Sequence, residues 1–249
     1  MPPRPNIFEW ATSELSQDAF LCWLVAHAGE HERPDVQHVA RAFIALLWNR
    51  SHPEQPCAPA DVVLAVAPRT QQAHTDVFFS ASIHGKTVPF LVEDKVHTSH
   101  HTDQLQRYAA WLEVQKQQNG ATHDVKVYYK TGHHFAEDLD PQEHGYSVLG
   151  IEEVVEFFDC HRASSEILED YRSYVIAMRD ERVNALAGYR ALTRDFVQYE
   201  FLRALRACCP EHIEAGEIHR GRNRGGTPWT HYAIARFPKA LAGADETLF

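Results

Sequence analysis

Two neighbouring segments in the middle of the chain, residues 74–83 and 86–96, carry apolar residues at every second position. A period of two predicts β-strands that bury one face. Between them lie His84 and Gly85, which suit the mirror-image turns that close hairpins, because glycine accepts a positive φ. The pattern therefore predicts a β-hairpin in which residues whose numbers sum to 169 lie opposite each other.

The polar face of this hairpin carries an acidic pair. The register that joins the apolar residues across one face places Asp76 opposite Glu93 on the other face. Directly opposite residues have Cβ atoms roughly 4.5–5.5 Å apart, which is close enough for two carboxylates to share a divalent cation. Lys95 points to the same side as Glu93, and Asp94 points to the opposite side. The alternative is a pair of solvated surface acids, which would repel each other.

The other elements follow from helical periodicity and from short apolar runs. Helices are predicted at residues 14–28, 35–48, 103–118, 151–158, 164–183 and 190–208. Further strands are predicted at residues 61–67, 125–129, 146–149 and 230–236. This order predicts an α/β fold with a mixed central sheet flanked by helices, followed by a helical carboxy-terminal extension.

Composition indicates one compact protein. The 249 residues are 44% hydrophobic, which is enough to bury a substantial core. We find no basic leader and no run of about 18 apolar residues, so secretion and membrane spanning are not expected. The five cysteines are odd in number and lack a C-x-x-C spacing. They favour reduced thiols in the cytoplasm and no cysteine zinc site.

Charge is unevenly distributed along the chain. Residues 137–170 contain 1 Lys or Arg against 11 Asp or Glu, whereas residues 171–249 contain 12 against 9. A nucleic acid would have to avoid the acidic block, which is either a solvated face or a site for a basic partner. The segment 219–226 is predicted to be a flexible basic loop whose arginines reach phosphates, and a solvated loop without ligand is the alternative. Its arginines are Arg220, Arg222 and Arg224.

The acidic pair, the lysine and two residues of the following helix together resemble a known set of motifs. They are Asp76, Glu93-Asp94-Lys95, and Gln104 with Tyr108 four positions later. Their types and spacing are similar to those of the PD-(D/E)XK nuclease superfamily, in the branch with a Q-x-x-x-Y motif. The resemblance covers about residues 6–160, and Thr75 stands where the motif has proline. It implies a restriction-endonuclease-like core at residues 1–160, with residues 161–249 as an extension packed on it.

The resemblance also implies roles for individual residues. Asp76, Glu93 and the backbone carbonyl of Asp94 would bind Mg²⁺, with Mn²⁺ as a substitute, and Lys95 would assist the attacking water. Glu14, in the first turn of the first helix, would be a further metal ligand. The alternative for Glu14 is an acid stabilised only by the helix dipole.

Gln104 and Tyr108 lie on one face of a helix because they are four residues apart. The resemblance implies that this pair supports the site or contacts nucleic acid. The apolar stripe of the same helix also contains Tyr108, so this side chain is expected to be partly a core residue. A solvated position near the helix start is the alternative for Gln104.

Seventeen histidines raise the question of a zinc site. None of them shows the H-E-x-x-H spacing of a catalytic zinc helix. The candidates closest to the acidic pair are His97, His100 and His101, with His133-His134 later in the chain. We expect His97 or His101 to lie beside a phosphate as a donor or proton shuttle.

Three functions of different class follow. The first is a Mg²⁺-dependent nuclease, with DNA as the expected substrate of an endonuclease and a role in restriction or anti-phage defence implied by resemblance alone. The second is a non-catalytic nucleic-acid or protein interaction module on the same fold. The third is a histidine-based metallohydrolase. The resemblance is compatible with a homodimer or with an activating protein partner.

Overall fold

The computed structural model describes residues 5–11, 13–72, 75–96, 103–132, 139–187, 195–208, 218–224, 228–232, 235–236 and 247–248. The α-helices are α1 (Glu14–Ala26), α2 (Pro34–Ser51), α3 (Gln104–Gln118), α4 (Leu139–Glu143), α5 (Ile151–Cys160), α6 (Glu166–Leu186) and α7 (Asp195–Cys208). The strands are β1 (Val63–Gln72), β2 (Thr75–Ile83), β3 (Lys86–Lys95), β4 (Val125–Lys130), β5 (Ser147–Gly150), β6 (Ile218–Arg222), β7 (Pro228–Tyr232), β8 (Ala235–Arg236) and β9 (Thr247–Leu248). Short 3₁₀ helices cover Ile7–Glu9, His27–Gly29 and Pro59–Asp61.

A five-stranded mixed sheet, in the order β1-β2-β3-β4-β5, forms the centre of the fold. The first three strands are antiparallel, and β3, β4 and β5 run parallel to one another. The parallel connections contain α3 between β3 and β4, and α4 between β4 and β5. The predicted α/β class with a mixed sheet and flanking helices is therefore confirmed.

The hairpin of β2 and β3 has the predicted register. Val77 pairs with Val92, and Ile83 pairs with Lys86. The turn residues His84 and Gly85 have φ values of 50° and 75°. Two successive positive φ values define the type I′ turn, whose twist matches that of the strands. The turn and the alternation thus select the same pairing.

Both faces of the sheet are covered. One face packs on α1, α2, α5 and α6 through the alternate residues of the hairpin, such as Phe79 and Phe90, whose rings stack at 4.7 Å. The other face packs on α3 through Phe78 and Leu91, which meet the apolar stripe of that helix. Because β3 is covered on both sides, all its residues from Val88 to Lys95 are buried, including the three charged ones at its end.

The domain boundary differs from the one expected at residue 160. The chain divides into two compact units, Met1–Arg179 and Asp180–Phe249, and the division falls within α6. The reason is the apolar stripe of α6, because Leu168, Tyr171 and Val175 are buried in the main core. The first turns of α6 therefore belong to the unit that holds the sheet.

The carboxy-terminal unit has more β-structure than predicted. The expected basic loop begins instead as strand β6, which pairs with β7 from Ile218 opposite Tyr232 to Arg222 opposite Pro228. The expected strand at 230–236 overlaps β7 at its beginning and β8 at its end, and residues 233–234 lie outside the described residues. Glycine and arginine content favours a loop, but backbone pairing with a partner strand overrides this local preference.

Two further properties concern the environment of the chain. No helix in the described residues combines the length and the apolar character needed to cross a bilayer. Cys22, Cys57, Cys160 and Cys208 are free thiols. Burial raises the pKa of Cys22 and of Cys57 to about 11, so these two thiols are poor nucleophiles at neutral pH.

Candidate active site

Three charged side chains meet where β2 begins and β3 ends. The Lys95 Nζ lies 2.6 Å from Glu93 Oε1, 2.9 Å from the Asp94 carbonyl oxygen and 3.6 Å from Asp76 Oδ2. Asp76 and Glu93 thus share Lys95 as their counter-ion. One ammonium group is thus surrounded by three oxygens, which belong to three of the four residues that the resemblance implies as metal ligands; the fourth is Glu14.

The backbone contributes to this arrangement as well. The Asp94 N–H donates to Asp76 Oδ2 at 2.8 Å, which ties the first carboxylate to the strand that carries the second. The side chain of Asp76 is 16% exposed, whereas that of Glu93 has no exposed surface. Among these acids, Asp76 is therefore the one that a substrate or a water molecule can reach from solvent.

Helices α1 and α3 bring further residues to the same end of the sheet. Glu14, the first residue of α1, accepts a hydrogen bond from the Val96 N–H at 3.2 Å. Gln104, the first residue of α3, donates to Glu93 Oε1 at 2.7 Å and to the Tyr108 hydroxyl at 3.2 Å. The glutamine and tyrosine predicted to act together therefore form one hydrogen-bonded chain that ends on the Glu93 carboxylate.

Burial controls the charge states of these groups. Burial and the neighbouring Asp76 carboxylate raise the pKa of Glu93 to about 8. Burial likewise raises the pKa of Asp76. Burial alone would lower the pKa of Lys95, but the carboxylates of Glu93 and Asp76 outweigh it and raise that pKa above its usual value. Lys95 is therefore a cation at neutral pH. The carboxyl groups of Asp76 and Glu93 would also stabilise a metal cation bound beside it.

Sequence reasoning placed the Asp94 side chain on the opposite face of β3 but missed the acid and the amide that lie beside it there, Asp18 and Gln17. The Asp94 side chain points towards α1, where Gln17 Nε2 donates to its Oδ1 at 2.5 Å. Asp18, the residue after Gln17 in α1, is buried as well. Burial and the Asp76 carboxylate raise the pKa of Asp18 to about 7, and burial and Asp18 raise that of Asp94. The one available signal was the spacing of Glu14 and Asp18, one helical turn apart.

Several buried carboxylate oxygens have no hydrogen-bond partner among the described residues. They are Glu93 Oε2, Asp94 Oδ2 and Asp18 Oδ1. Leaving a buried acceptor unsatisfied costs about 1–3 kcal/mol. Because successive strand residues point to opposite faces, the free oxygens of Glu93 and Asp94 lie on different sides of the sheet. Only the Glu93 oxygen belongs to the side that Lys95 and Asp76 share.

The donor atoms are compatible with Mg²⁺. This ion prefers oxygen ligands and retains several water molecules, so one or two carboxylates are sufficient. Within the described residues there is no group of three or more His, Cys, Asp or Glu side chains arranged to hold a metal ion. Asp76, Glu93 and the Asp94 carbonyl would give Mg²⁺ three oxygen ligands. Only two of these oxygens come from side chains, so the set does not require a group of three metal-binding side chains.

Some predicted site residues cannot be placed with the others. His97, His100, His101, His133 and His134 lie outside the described residues. The backbones of Arg220 and Arg222 lie in β6, and Arg224 is exposed just after that strand. Tyr108 is 6% exposed, and its hydroxyl accepts a hydrogen bond from Gln104. A role for these residues in binding nucleic acid stays a prediction.

We compared the chain with family models, with curated proteins and with solved structures. None of these comparisons finds a match. The function has to be inferred from the residues of the site itself.

Proposed function

We propose that this protein is a Mg²⁺-dependent nuclease with a restriction-endonuclease-like core, and that it hydrolyses phosphodiester bonds in DNA. The observation that carries the proposal is the convergence of Asp76 Oδ2, Glu93 Oε1 and the Asp94 carbonyl on a single positive charge. A buried cluster of this kind is costly unless it is used to hold a cation. The order of strands and helices around the site supports the same family of folds.

Asp76, Glu93 and the Asp94 carbonyl would hold the ion, with Glu14 close by. When bound, Mg²⁺ lowers the pKa of a coordinated water and neutralises negative charge on the phosphate. Lys95, which is protonated, would donate a hydrogen bond to a phosphate oxygen and stabilise the charge that develops there. Gln104 keeps the Glu93 carboxylate in place from the α3 side.

The proposal is tested by incubating the purified protein with circular DNA, linear DNA and RNA, each with Mg²⁺, Mn²⁺ or EDTA. Cleavage of circular DNA that requires the metal and is absent in Asp76→Asn is the expected result. Cleavage of RNA alone would change the substrate class. Cleavage that persists in Asp76→Asn would mean a contaminating nuclease, and no cleavage of any substrate would contradict the proposal.

A non-catalytic interaction module is the second candidate, because Lys95 already balances part of the acidic charge in the absence of metal. The two candidates differ in what happens when the lysine is removed. In a nuclease, Lys95 competes with the metal for the same three oxygens. In a module without metal, Lys95 is only an internal counter-ion.

We therefore expect Lys95→Met to lower turnover by about 100-fold or more. Its Mg²⁺ affinity, measured by titration calorimetry, should equal or exceed that of the wild type. The metal-free variant should melt at a lower temperature, and Mg²⁺ should restore the loss. Lys86→Met, an exposed lysine on the same strand, is the matched control. Destabilisation without rescue by Mg²⁺ would favour the non-catalytic module.

The arginines at positions 220, 222 and 224 are expected to contribute to binding rather than to chemistry. Each phosphate contact on duplex DNA adds about −0.9 to the slope of log affinity against log salt concentration. The triple alanine variant should therefore bind DNA more weakly and with a flatter salt dependence, at an unchanged rate with saturating substrate. Lys86→Ala is again the control. An unchanged slope would mean that the nucleic acid is bound elsewhere, and Gln104, Arg107 and Arg69 would be the next residues to test.

The proposal also covers where the protein acts and in which process. We propose a cytoplasmic enzyme that acts in restriction or anti-phage defence. The free cysteines support the first part of this statement. The acidic block at residues 137–170 would have to face away from the DNA.

A further inference from the structure

A buried polar network lies behind the candidate site, on the α1 face of β3. Its members are fully or almost fully buried, and they come from four different parts of the chain. They are Gln17 of α1, Asp94 of β3, Thr131 just after β4, and Tyr171 of α6. Buried polar side chains are costly unless they are hydrogen-bonded, so each bond in this network has consequences for its neighbours.

The orientation of the Gln17 amide is determined by its partners. The Tyr171 hydroxyl donates to Gln17 Oε1 at 2.9 Å. The Thr131 hydroxyl lies 3.0 Å from the same oxygen and 2.9 Å from Gln17 Nε2. The Gln17 NH₂ group faces Asp94 Oδ1. In the reverse orientation the NH₂ group would face the Tyr171 hydroxyl, and Gln17 Oε1 would lose the hydrogen bond that this hydroxyl donates. Tyr171 therefore fixes the orientation of the amide, and Thr131, which bonds both amide atoms, helps to hold Gln17 where it binds Asp94.

Asp94 is the residue through which this network reaches the site. Its side chain is bound by Gln17 on one face of the sheet. On the other side its backbone carbonyl accepts from Lys95, and its N–H donates to Asp76. Holding the side chain fixes the orientation of the residue and therefore of both backbone groups. The network acts on the oxygens that would bind metal without touching the metal position.

We propose that Gln17 and Tyr171 are positioning residues of the active site, which hold Asp94 so that its carbonyl and its N–H are correctly placed for metal binding. The inference rests on the proposed function and extends it. Tyr171 lies outside the 1–160 segment that the motifs define, so the catalytic unit must include the first turns of α6. Groups that orient metal ligands typically change metal affinity or activity by about 10–100-fold when they are removed.

The ring of Tyr171 has a separate, structural role. It stacks on Phe20 at 3.7 Å and lies edge-on to Phe8 and Phe158. Tyr171→Phe keeps these contacts and removes only the hydroxyl. Tyr129 offers a matched control, because its hydroxyl is buried and bonds the Tyr171 hydroxyl at 3.0 Å without contacting Gln17.

The experiment measures Mg²⁺ affinity of the substrate-free protein by calorimetry, together with the melting temperature and kcat. We expect Tyr171→Phe and Thr131→Val to weaken Mg²⁺ binding by about 10-fold. Tyr129→Phe should lower the melting temperature but keep Mg²⁺ affinity within about 2-fold of the wild type, because the donors to Gln17 remain.

Two results would overturn the inference while leaving the proposed function intact. One is wild-type Mg²⁺ affinity in both Tyr171→Phe and Thr131→Val. The other is an equal loss of Mg²⁺ affinity in Tyr129→Phe and Tyr171→Phe. That result would mean that removing either buried hydroxyl weakens Mg²⁺ binding only because it destabilises the fold. A wild-type protein that binds no Mg²⁺ would overturn the proposed function, and the inference with it.

Discussion

Glu93→Gln is expected to abolish cleavage and to leave the metal-free protein at least as stable as the wild type. When Asp76, Glu93 and Lys95 are all ionised, the buried group carries one excess negative charge. Glutamine removes that excess, yet its side-chain oxygen still accepts from Lys95 and Gln104. The loss of a charged metal ligand should lower kcat/KM by on the order of 1,000-fold or more.

The same variant should change how stability depends on pH. The pKa of Glu93 in the folded protein is raised to about 8, chiefly by burial, from the ordinary value of 4.5. An acid with a raised pKa binds its proton more tightly in the folded state. Its contribution to stability is therefore fully present below about pH 4.5 and is lost as the pH rises through about 8. The metal-free wild type should become less stable across this interval.

The measurement is a set of thermal melts in EDTA between pH 5 and pH 9. We expect Glu93→Gln to melt at a higher temperature than the wild type at the alkaline end and to show a smaller dependence on pH. Asp76, Asp18 and Asp94 also have raised pKa values, so part of the slope should remain. Wild-type cleavage rates, or a variant that is unfolded at pH 8, would refute the assignment.

Gly132→Ala is expected to destabilise the protein and to disrupt the site. A Cβ atom at this position would lie 1.5 Å from the Val96 carbonyl oxygen and 2.3 Å from its carbonyl carbon. Backbone cannot move aside as a flexible side chain can, so the cost should be about 3 kcal/mol or more. Because the Val96 N–H binds Glu14, a shift of Val96 should also displace that carboxylate.

Urea unfolding measures the first effect and Mg²⁺ titration the second. Gly150→Ala is the matched control, since this residue ends β5, the strand that pairs with β4, and a Cβ there would meet no atom within 4 Å. We expect the control to remain within about 1 kcal/mol of the wild type, the usual cost or gain of exchanging glycine for alanine. Equal stability of the two variants would show that the fold does not need glycine at position 132 to bring this residue close to the Val96 backbone.

The hairpin and the acidic pair could be predicted from the sequence because both depend on local rules. Alternation of apolar residues and a glycine turn set the register of β2 and β3, and the register in turn brings Asp76 to Glu93. The Q-x-x-x-Y spacing is also local, since four residues make about one helical turn and align Gln104 with Tyr108. Each of these patterns is compatible with only a few backbone conformations, so the sequence alone is enough to select among them.

The tertiary structure decided which distant residues support those acids. Gln17 and Asp94 are 77 residues apart in the chain, and Tyr171 is 154 residues from Gln17. Their hydrogen bonds exist because α1 and α6 pack on the same face of the sheet, and a buried glutamine has no periodic signature that would reveal its partner. The close approach at Gly132 and the pairing of β6 with β7 likewise depend on where separate segments of backbone meet. Local sequence preferences constrain each segment, whereas only packing determines which segments come into contact.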